Sequence, residues 1–428
     1  MYINQIIIEN VRSTVALDWT LPYKNYAGWH VIIGDNGAGK SSTLRSVALA
    51  LVGPTEAAAL RQDWTAWLRS ESTRGRIRLD VHYDARFDKF SGKGRKVTNY
   101  FLPVSVGLER VGDSVRLVKR RVAFGPERHV WSGKPGWFSA SYGPFRRFVG
   151  GDKDYERIYY SNPRLAPHLS VFGEGVALTE CLRWLQDLQF KKLEKSPEGV
   201  LLDSLKEFVN QEGFLPHKTY LQEISSKGVD FVDGNGCKVQ VELLSDGYRS
   251  LLSMTFELIR QLSRCYGPGR VFDPEDATKI IAPGTVLIDE VDAHLHPSWQ
   301  RKIGQWFRQH FPHIQFIVTT HSPLVCQAAS VGTVFRLPKP GTDESGQMVS
   351  GAELDRLLYG NVLDAYSTEL FGADVTRSDA AAKFLERLAI LNRKELHDSL
   401  TEEERIEQAR LRAMFPTSIP PTSLVNAA

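Results

Sequence analysis

Residues 29–42 read WHVIIGDNGAGKSS, an apolar run that leads directly into a glycine-rich turn. The turn fills the pattern G-x-x-x-x-G-K-[ST] with Gly34, Gly39, Lys40 and Ser41, and the following SSTLRSVALALVG is typical of a helix. Glycines let backbone N–H groups point at phosphate oxygens, and the helix N-terminus adds positive potential at the same place. The strand–turn–helix context therefore predicts a nucleotide site and not an ordinary glycine-rich turn.

The residues of this turn have expected partners on a nucleotide. Lys40 would reach the β- and γ-phosphates of ATP, and the Ser41 hydroxyl would coordinate Mg²⁺. The residues that we predict to contact ATP are Asn36, Gly37, Ala38, Gly39, Lys40, Ser41 and Ser42. ATP and Mg²⁺ are the expected cofactors.

A second apolar run, VLIDE at residues 286–290, ends in two carboxylates. If this strand lies parallel to the strand before the phosphate loop, Asp289 comes near the metal ion and Glu290 near the attacking water. A strand that ends in a solvated acidic turn is the alternative for a DE pair alone. With a phosphate loop upstream, we predict Asp289 as a Mg²⁺ ligand and Glu290 as a catalytic residue.

Three more polar residues follow in VDAHLHP, namely Asp292, His294 and His296. An H-x-H pair with an acid can bind zinc, but no third histidine or glutamate base is spaced to complete a catalytic set. We favour a loop that packs at a subunit contact over a metal site.

His321 comes directly after the apolar run QFIVTT. A strand end would again deliver a polar group to the predicted site, where an imidazole could hydrogen-bond the γ-phosphate and report its presence. An isolated histidine is more often structural. The order of the motifs favours a functional role, and we predict His321 as a second catalytic residue.

LLSDGYRS at residues 243–250 opens another apolar helix. Ser245 or Asp246 is by itself a helix N-cap. A helix N-terminus with a hydroxyl and a glycine is also an anion site. Because Lys40 and Asp289 already fill the phosphate pocket, we predict that Ser245 and Gly247 contact ATP in trans, on a second copy of the chain.

Composition sets wider bounds. Hydrophobic residues make up 42% of the chain and charged residues 24%, which suits packed cores and excludes a disordered protein. The net charge of +3 by itself implies neither nucleic acid nor an anionic membrane as partner. Two basic runs, residues 89–96 and 116–121, are solvated faces or contacts to a phosphate backbone, and the first is commoner.

The four cysteines form no C-x-x-C pair, which argues against a zinc ribbon or a disulfide framework and suits a reducing cytosol. The chain has no basic leader followed by a long apolar core, and no run of 18 apolar residues. We therefore expect no signal peptide, no membrane partner and a cytoplasmic location.

Four segments are predicted along the chain. Residues 1–55 and 241–345 carry the motifs and form two parts of a nucleotide-binding core. Residues 56–240 are expected to form an inserted lobe, β-rich and then helical, with hairpins that turn at residues 112–113 and 233–236. Residues 346–428 are charged and mostly helical, with a loose tail.

In chain order, five motifs resemble the elements of ABC-type ATPases. GDNGAGKSS, LLSDGYRS, VLIDE, VDAHLHP and VTTHSP are similar to the Walker A, signature, Walker B, D-loop and switch-histidine elements. The resemblance implies an α/β fold, an ABC-type ATPase head with a RecA-like mixed sheet, flanking helices and an antiparallel β layer. An inserted α+β lobe and C-terminal helices are expected in addition to this head. The resemblance also implies a homodimer, or an oligomer of dimers, around the nucleotide.

Within that superfamily, ENVRS at residues 9–13 and DAHLHP resemble the SMC- and OLD-related branch. In that branch the early Arg and Ser lie near the nucleotide, which implies ATP contacts for Arg12 and Ser13. The chain is also similar to PtuA-like ATPase subunits of bacterial Septu anti-phage systems, which work with a separate HNH-type nuclease. YGPFRRF at residues 142–148 and LFGADVTRS near the C-terminus fit this group.

Several positions depart from the ABC pattern. Asp246 replaces a glycine, and Tyr248 stands where relatives often carry Glu or Gln, so a weaker contact in trans is expected. No glutamine marks a Q-loop, although residues 142–147 lie where one is expected. His296 occupies the usual position of the D-loop acid.

Spacing argues against two related architectures. About 200 residues without heptads separate Lys40 from Ser245, which excludes a long coiled-coil arm. After His321 no glutamate precedes a D-x-D strand motif, so we expect no fused Toprim nuclease, and another polypeptide would cut any DNA.

Four function classes follow. The first is an ATP-dependent switch that regulates a separate effector such as a nuclease. The second is a RecF-like DNA-binding repair ATPase, with residues 89–121 at the phosphates. The third is the nucleotide-binding subunit of a transporter, which the missing Q-loop glutamine and the NVRS element disfavour. The fourth is a scaffold that binds ATP and scarcely hydrolyses it.

Overall fold

The strand before the phosphate loop lies inside a six-stranded sheet. In spatial order its strands are β14 (Gln347–Met348), β13 (Gly332–Arg336), β3 (Trp29–Ile33), β12 (Ile314–Thr319), β11 (Gly284–Ile288) and β7 (Ser139–Tyr142). From β13 to β7 all pairs are parallel, and β14 adds an antiparallel edge. The carboxyl ends of the parallel strands therefore meet at one edge of the sheet, where ligands bind in open α/β sheets.

The computed structural model describes residues 1–92, 101–146, 148, 153–173, 180–342, 344–361, 365, 370, 379–396 and 400–415. Part of the first basic run, Arg147, most of LFGADVTRS and the tail after Phe415 lie outside these residues. Residues 1–365 form one compact unit, and residues 366–428 form another.

A five-stranded antiparallel sheet forms a second layer. Its spatial order is β2 (Thr14–Thr20), β1 (Tyr2–Val11), β4 (Arg74–His82), β5 (Phe101–Val111) and β6 (Ser114–Lys119). The predicted hairpin joins β5 to β6. The sequence pattern sets residues 56–240 apart as an inserted lobe, but β4 pairs with β1, and β7 pairs with β11. This segment thus supplies strands to both sheets.

Helix α1 (Lys40–Val52) lies between the two sheets. From Leu44 to Val52 every side chain except Arg45 is buried. They share an apolar core with residues of the antiparallel sheet and with Leu287 and Ile317 of the parallel one. Because both faces are packed, the N-terminus of α1 is fixed beside the carboxyl ends of the parallel strands.

A glutamine joins the two sheets at their other end. Gln315 of β12 accepts a hydrogen bond from the Ile3 amide at 2.7 Å and donates one to the Ile3 carbonyl at 2.8 Å. Thr285 Oγ1 of β11 donates to the same Gln315 side chain at 3.1 Å. All three residues are fully buried. The amino-terminal ends of β1, β11 and β12 are therefore linked.

The remaining elements of the first unit are helical, apart from one small sheet. The helices are α2 (Pro54–Ala57), α3 (Lys153–Ser161), α4 (Leu169–Phe172), α5 (Glu180–Leu193), α6 (Val200–Asn210), α7 (Asp246–Tyr266), α8 (Pro297–His310), α9 (Pro323–Cys326) and α10 (Gly351–Tyr359). The small sheet has the order β10 (Lys238–Gln240), β9 (Gly228–Val232) and β8 (Tyr220–Ser225). Its β9–β10 hairpin spans the second predicted turn.

Two helices make up the described part of the second unit. They are α11 (Asp379–Glu395) and α12 (Glu402–Met414). A capping box formed by Thr401 and Glu404 begins α12, and Leu388, Leu391 and Leu411 form a small core between the helices. Both helices lie in the segment that the sequence predicts to be mostly helical.

The architecture is a mixed α/β fold with a mainly parallel sheet, an antiparallel layer and a helix between them. The predicted α/β class, with a mixed sheet, flanking helices and an antiparallel β layer, is confirmed. The four cysteines are free. In the described part of the chain, no helix combines the length and apolar character needed to cross a bilayer.

Candidate functional site

The phosphate loop connects β3 to α1 through two left-handed glycines. Gly37 and Gly39 have φ angles of 82° and 95°, which glycine adopts without steric cost. A Cβ at Gly39 would come within 2.7 Å of Ser13 Oγ in the β1–β2 turn. Glycine is favoured at position 39 by the backbone conformation, and a larger residue would also displace the Ser13 hydroxyl.

Lys40 is folded back over the loop. Its side chain is nearly buried, and Nζ donates to the carbonyls of Gly34 at 2.7 Å and Asp35 at 3.1 Å. Burial lowers the pKa of Lys40, and the nearby carboxylates, Glu290 first and Asp289 next, act in the opposite direction. The ammonium group therefore lies inside the loop and close to the acidic end of β11.

Asp289 follows β11 directly and is only 1% exposed. Its Oδ1 accepts hydrogen bonds from Ser41 Oγ at 3.1 Å and from Thr319 Oγ1 at 2.6 Å. Its Oδ2 is buried and has no hydrogen-bond partner among the described residues. A buried, unpaired carboxylate oxygen is costly, and carboxylate and hydroxyl oxygens are the ligands that Mg²⁺ prefers. Asp289 and Ser41 thus fit a Mg²⁺ ion.

Glu290 is held in an unusual backbone conformation. Its φ is 46°, a region that costs a residue with a side chain roughly 1–3 kcal/mol. Its amide donates to Thr319 Oγ1 at 2.7 Å, and its carbonyl accepts from Arg146 Nη2 at 3.1 Å. Hydrogen bonds on both sides of the residue therefore fix the conformation in which its carboxylate lies near Lys40.

Arg146, which the sequence analysis did not identify as a site residue, lies beneath this acidic strand end. It is 5% exposed, and Nη1 donates to the Asp289 carbonyl at 3.0 Å and to the Gly143 carbonyl at 3.1 Å. Nε donates to Ser250 Oγ of α7 at 2.8 Å. Burial lowers the pKa of Arg146 to about 10, so the group is still a cation at neutral pH. The sequence feature that could have identified it is its place within residues 142–147, where a Q-loop is expected.

The β1–β2 turn places Ser13 against the loop, whereas Arg12 lies next to Trp67 and Arg45. The Arg12 guanidinium lies 4.5 Å above the Trp67 ring, in a pocket of about 250 Å³ that also includes Arg45. Burial, and then the charge of Arg45, lowers the pKa of Arg12. The structure therefore brings Ser13 to the loop and Arg12 to Arg45 of α1, while the contacts of both residues to ATP stay a prediction.

His321 lies just beyond the carboxyl end of β12, and its side chain is partly exposed. Its pKa is lowered, first by partial burial and then by the positive charge of Lys40. The imidazole is thus neutral at neutral pH and lies on the side of the sheet that carries Lys40.

The loop after Glu290 is organised by local hydrogen bonds. Thr320 Oγ1 donates to Asp292 Oδ1 at 2.5 Å, and His296 Nδ1 accepts from the Ser298 amide at 3.3 Å to cap α8. Within the described ranges, no group of three or more His, Cys, Asp or Glu residues is arranged to hold a metal ion. The subunit contact of the loop with His294 stays a prediction.

The signature turn, residues 243–250, faces a cleft other than the one at the phosphate loop. Ser245 is the exposed N-cap of α7, and a Cβ at Gly247 would come within 2.8 Å of the His294 carbonyl. Both residues line a cleft of about 1130 Å³, whose described lining includes no residue of the phosphate loop. The structure thus brings Lys40, Ser41 and Asp289 together within one chain and leaves the signature turn apart from them.

Two of the four cations in the second basic run lie in ion pairs. Lys119 pairs with Glu127, and Arg120 pairs with Glu109 at 3.3 Å. These ion pairs favour a solvated face for residues 116–121 over a contact to a phosphate backbone.

Parts of this chain are similar in sequence to known proteins. The domain family described as "AAA domain, putative AbiEii toxin, Type IV TA system" matches residues 153–327. A Septu protein PtuA of Bacillus mycoides (strain KBAB4) is 26% identical, over 78% of this chain and 40% of its own length. The "Retron Vc95 probable ATPase" of Vibrio cholerae serotype O1 biovar El Tor is 24% identical, over 82% of this chain and 78% of its own.

A solved structure also aligns with most of the chain. It is described as "Crystal structure of the SmcHead bound to the C-winged helix domain of ScpA" and has a TM-score of 0.49 with 14% identity, covering 82% of this chain and 99% of that one. The chain spans less than half the length of the Bacillus mycoides protein. By sequence, the chain is similar to Septu PtuA proteins, as its motifs predicted, and to a retron ATPase.

Proposed function

We propose that the protein is an ATP-binding and ATP-hydrolysing switch. The observation that carries the proposal is the convergence of Lys40, Ser41 and Asp289, with the buried Asp289 Oδ2 left without a hydrogen-bond donor among the described residues. The left-handed glycines leave room for phosphate oxygens, and the N-terminus of α1 adds positive potential. A triphosphate and a divalent cation together satisfy the groups that the loop leaves open.

The residues at the strand ends have separate roles in this proposal. Ser41 and Asp289 would hold Mg²⁺, which when bound neutralises phosphate charge. Lys40 would exchange its two carbonyl partners for phosphate oxygens. Glu290 would orient the attacking water and accept its proton, and the neutral His321 would donate a hydrogen bond to the terminal phosphate.

Two copies of the chain complete each site in this proposal. Ser245 and Gly247 lie at an exposed helix N-terminus, which attracts anions, but on a cleft apart from the phosphate loop. A second copy can present that turn to the ATP of the first. Asp246, which pairs with Arg249, replaces a glycine in the turn, so slow turnover is expected.

The similarity to Septu PtuA and retron ATPase proteins supports a role in anti-phage defence, as a regulator of a separate effector. The expected effector is an HNH-type nuclease. Purification of the protein with the product of the neighbouring reading frame tests this role. Co-elution of a nuclease supports it, whereas salt-dependent DNA binding by the protein alone would favour the RecF-like alternative.

The nucleotide site is tested by Lys40→Ala. This change removes the ammonium group, so MgATP affinity measured by calorimetry should fall about a hundredfold or more, as expected for loss of a charged hydrogen bond to phosphate. Lys302→Ala, on the cleft of the signature turn, is the matched control and should bind like the wild type. Wild-type affinity in Lys40→Ala would overturn the site.

A further inference from the structure

The Arg146 guanidinium joins the acidic strand end to α7. All of its nitrogens are engaged, with acceptors at 2.8–3.1 Å on Ser250, Gly143, Asp289 and Glu290. The residue is almost completely buried. Burying a cation costs free energy unless its N–H groups have hydrogen-bond acceptors. Two of the acceptors here are successive backbone carbonyls, so we treat this contact as a specific feature of the site.

The backbone carbonyls just beyond the end of β11 need hydrogen-bond donors from outside the sheet. Parallel pairing with β7 ends at Ile288, and the Asp289 amide makes the last contact, to the Tyr142 carbonyl at 2.8 Å. Beyond it the carbonyls of Asp289 and Glu290 accept hydrogen bonds from Arg146. The planar fork of arginine presents several N–H groups at fixed angles, whereas the lysine ammonium is a single point with no such geometry.

We propose that Arg146 is a positioning residue for ATP hydrolysis. Its guanidinium holds the left-handed Glu290 in the conformation that presents the carboxylate to the phosphate loop, and Ser250 ties that conformation to the helix that begins at the signature turn. If α7 moved on contact with a second copy, the Arg146 side chain would transmit that movement to the backbone of Glu290. The inference rests on the proposed function.

The first test needs no nucleotide. Arg146→Lys should increase amide hydrogen exchange at residues 289–291 about tenfold or more, because the backbone loses its clamp. Arg308→Lys is the matched control, since the Arg308 guanidinium also bonds a backbone carbonyl and a serine hydroxyl, those of Ala328 and Ser330. It should leave exchange at residues 289–291 within about threefold of the wild type.

The second test separates binding from turnover. Arg146→Lys should keep MgATP affinity within about threefold and slow single-turnover hydrolysis about tenfold or more, as a misplaced catalytic group does. Ser250→Ala removes one hydrogen bond and should preserve the fold. It should slow turnover about threefold, and its effect should not add to that of Arg146→Lys.

The outcomes are distinct. Wild-type protein that neither binds nor hydrolyses MgATP would overturn the proposed function and the role of Arg146 in it. Normal wild-type turnover, with exchange and turnover of Arg146→Lys within about threefold of the wild type, would overturn this inference alone. If Arg146→Lys does not fold, Ser250→Ala decides: unchanged turnover overturns the link to α7, and slowed turnover with normal affinity supports it.

Discussion

Ser41 Oγ donates a hydrogen bond to Asp289 Oδ1 at 3.1 Å although 248 residues separate the two positions in the chain. Thr319 Oγ1 holds the same carboxylate oxygen, so the orientation of the group is fixed and Oδ2 is the atom left for a cation. Hydrogen bonds within the chain therefore hold the hydroxyl and the carboxylate side by side.

Asp289→Asn should remove the gain in ATP affinity that Mg²⁺ provides, by about tenfold or more. The amide is neutral, and one of its two polar atoms becomes an N–H donor that repels a cation. Calorimetric titration of ATP with Mg²⁺ and with EDTA measures the gain. Affinity in EDTA should change little, and an equal Mg²⁺ gain in both proteins would contradict the assignment.

Glu290→Gln should retain MgATP and lower turnover about a hundredfold or more, because the amide cannot accept a proton from water. With hydrolysis blocked, the ATP-bound dimer should accumulate, and light scattering coupled to size exclusion should show a doubled mass with ATP and not with ADP. A mass that does not respond to ATP would remove the support for a two-copy site.

Ser245→Arg should leave ATP binding by the single chain intact and lower turnover, since a bulky side chain would block the helix N-terminus that meets the second copy. Asp246→Gly is the matched variant in the opposite direction. It removes a negative charge from the same turn and should raise turnover. Turnover that is unaltered in both variants would show that the turn is a helix cap alone.

His168 should make the fold sensitive to acid. It is 2% exposed, and its two ring nitrogens bond the hydroxyls of Ser139 and Ser141. Burial lowers the pKa of His168 to about 3, whereas an unfolded histidine titrates near 6.5. The unfolded state therefore binds more protons between these values, and the free energy of unfolding falls as the pH falls through this window.

The size of the effect can be measured by urea unfolding at pH 7 and pH 5. His168→Gln should lose about 2 kcal/mol less than the wild type between these two pH values, because it lacks the titrating ring. His217→Gln, at an exposed position, is the control and should follow the wild type. Equal losses in His168→Gln and the wild type would contradict the assignment.

Local patterns predicted much of the site. The strand–loop–helix around Lys40, the buried strand that ends at Asp289 and the strand before His321 all depend on apolar runs and on glycine chemistry within about a dozen residues. Their convergence followed from the carboxyl ends of parallel strands meeting at one edge, and the structure places Lys40, Ser41 and Asp289 together there.

Partners of strands and of backbone atoms were not predictable in this way. The alternation in β4 indicates a strand but not that it pairs with β1, so the pattern of residues 56–240 indicated a separate lobe. Arg146 bonds carbonyl oxygens of Asp289 and Glu290, and every residue carries such an oxygen. No side-chain pattern could reveal that contact, and only the proximity of the β7 and β11 ends makes it visible.

Gln315 has a mechanical consequence. Because it links β1 to β11 and β12 at the end remote from the phosphate loop, its hydrogen bonds resist sliding of the two sheets past each other there. We expect that a separation of the two sheets around a bound nucleotide would hinge at this glutamine. The largest displacement would then be at the opposite end, between the β1–β2 turn and the phosphate loop.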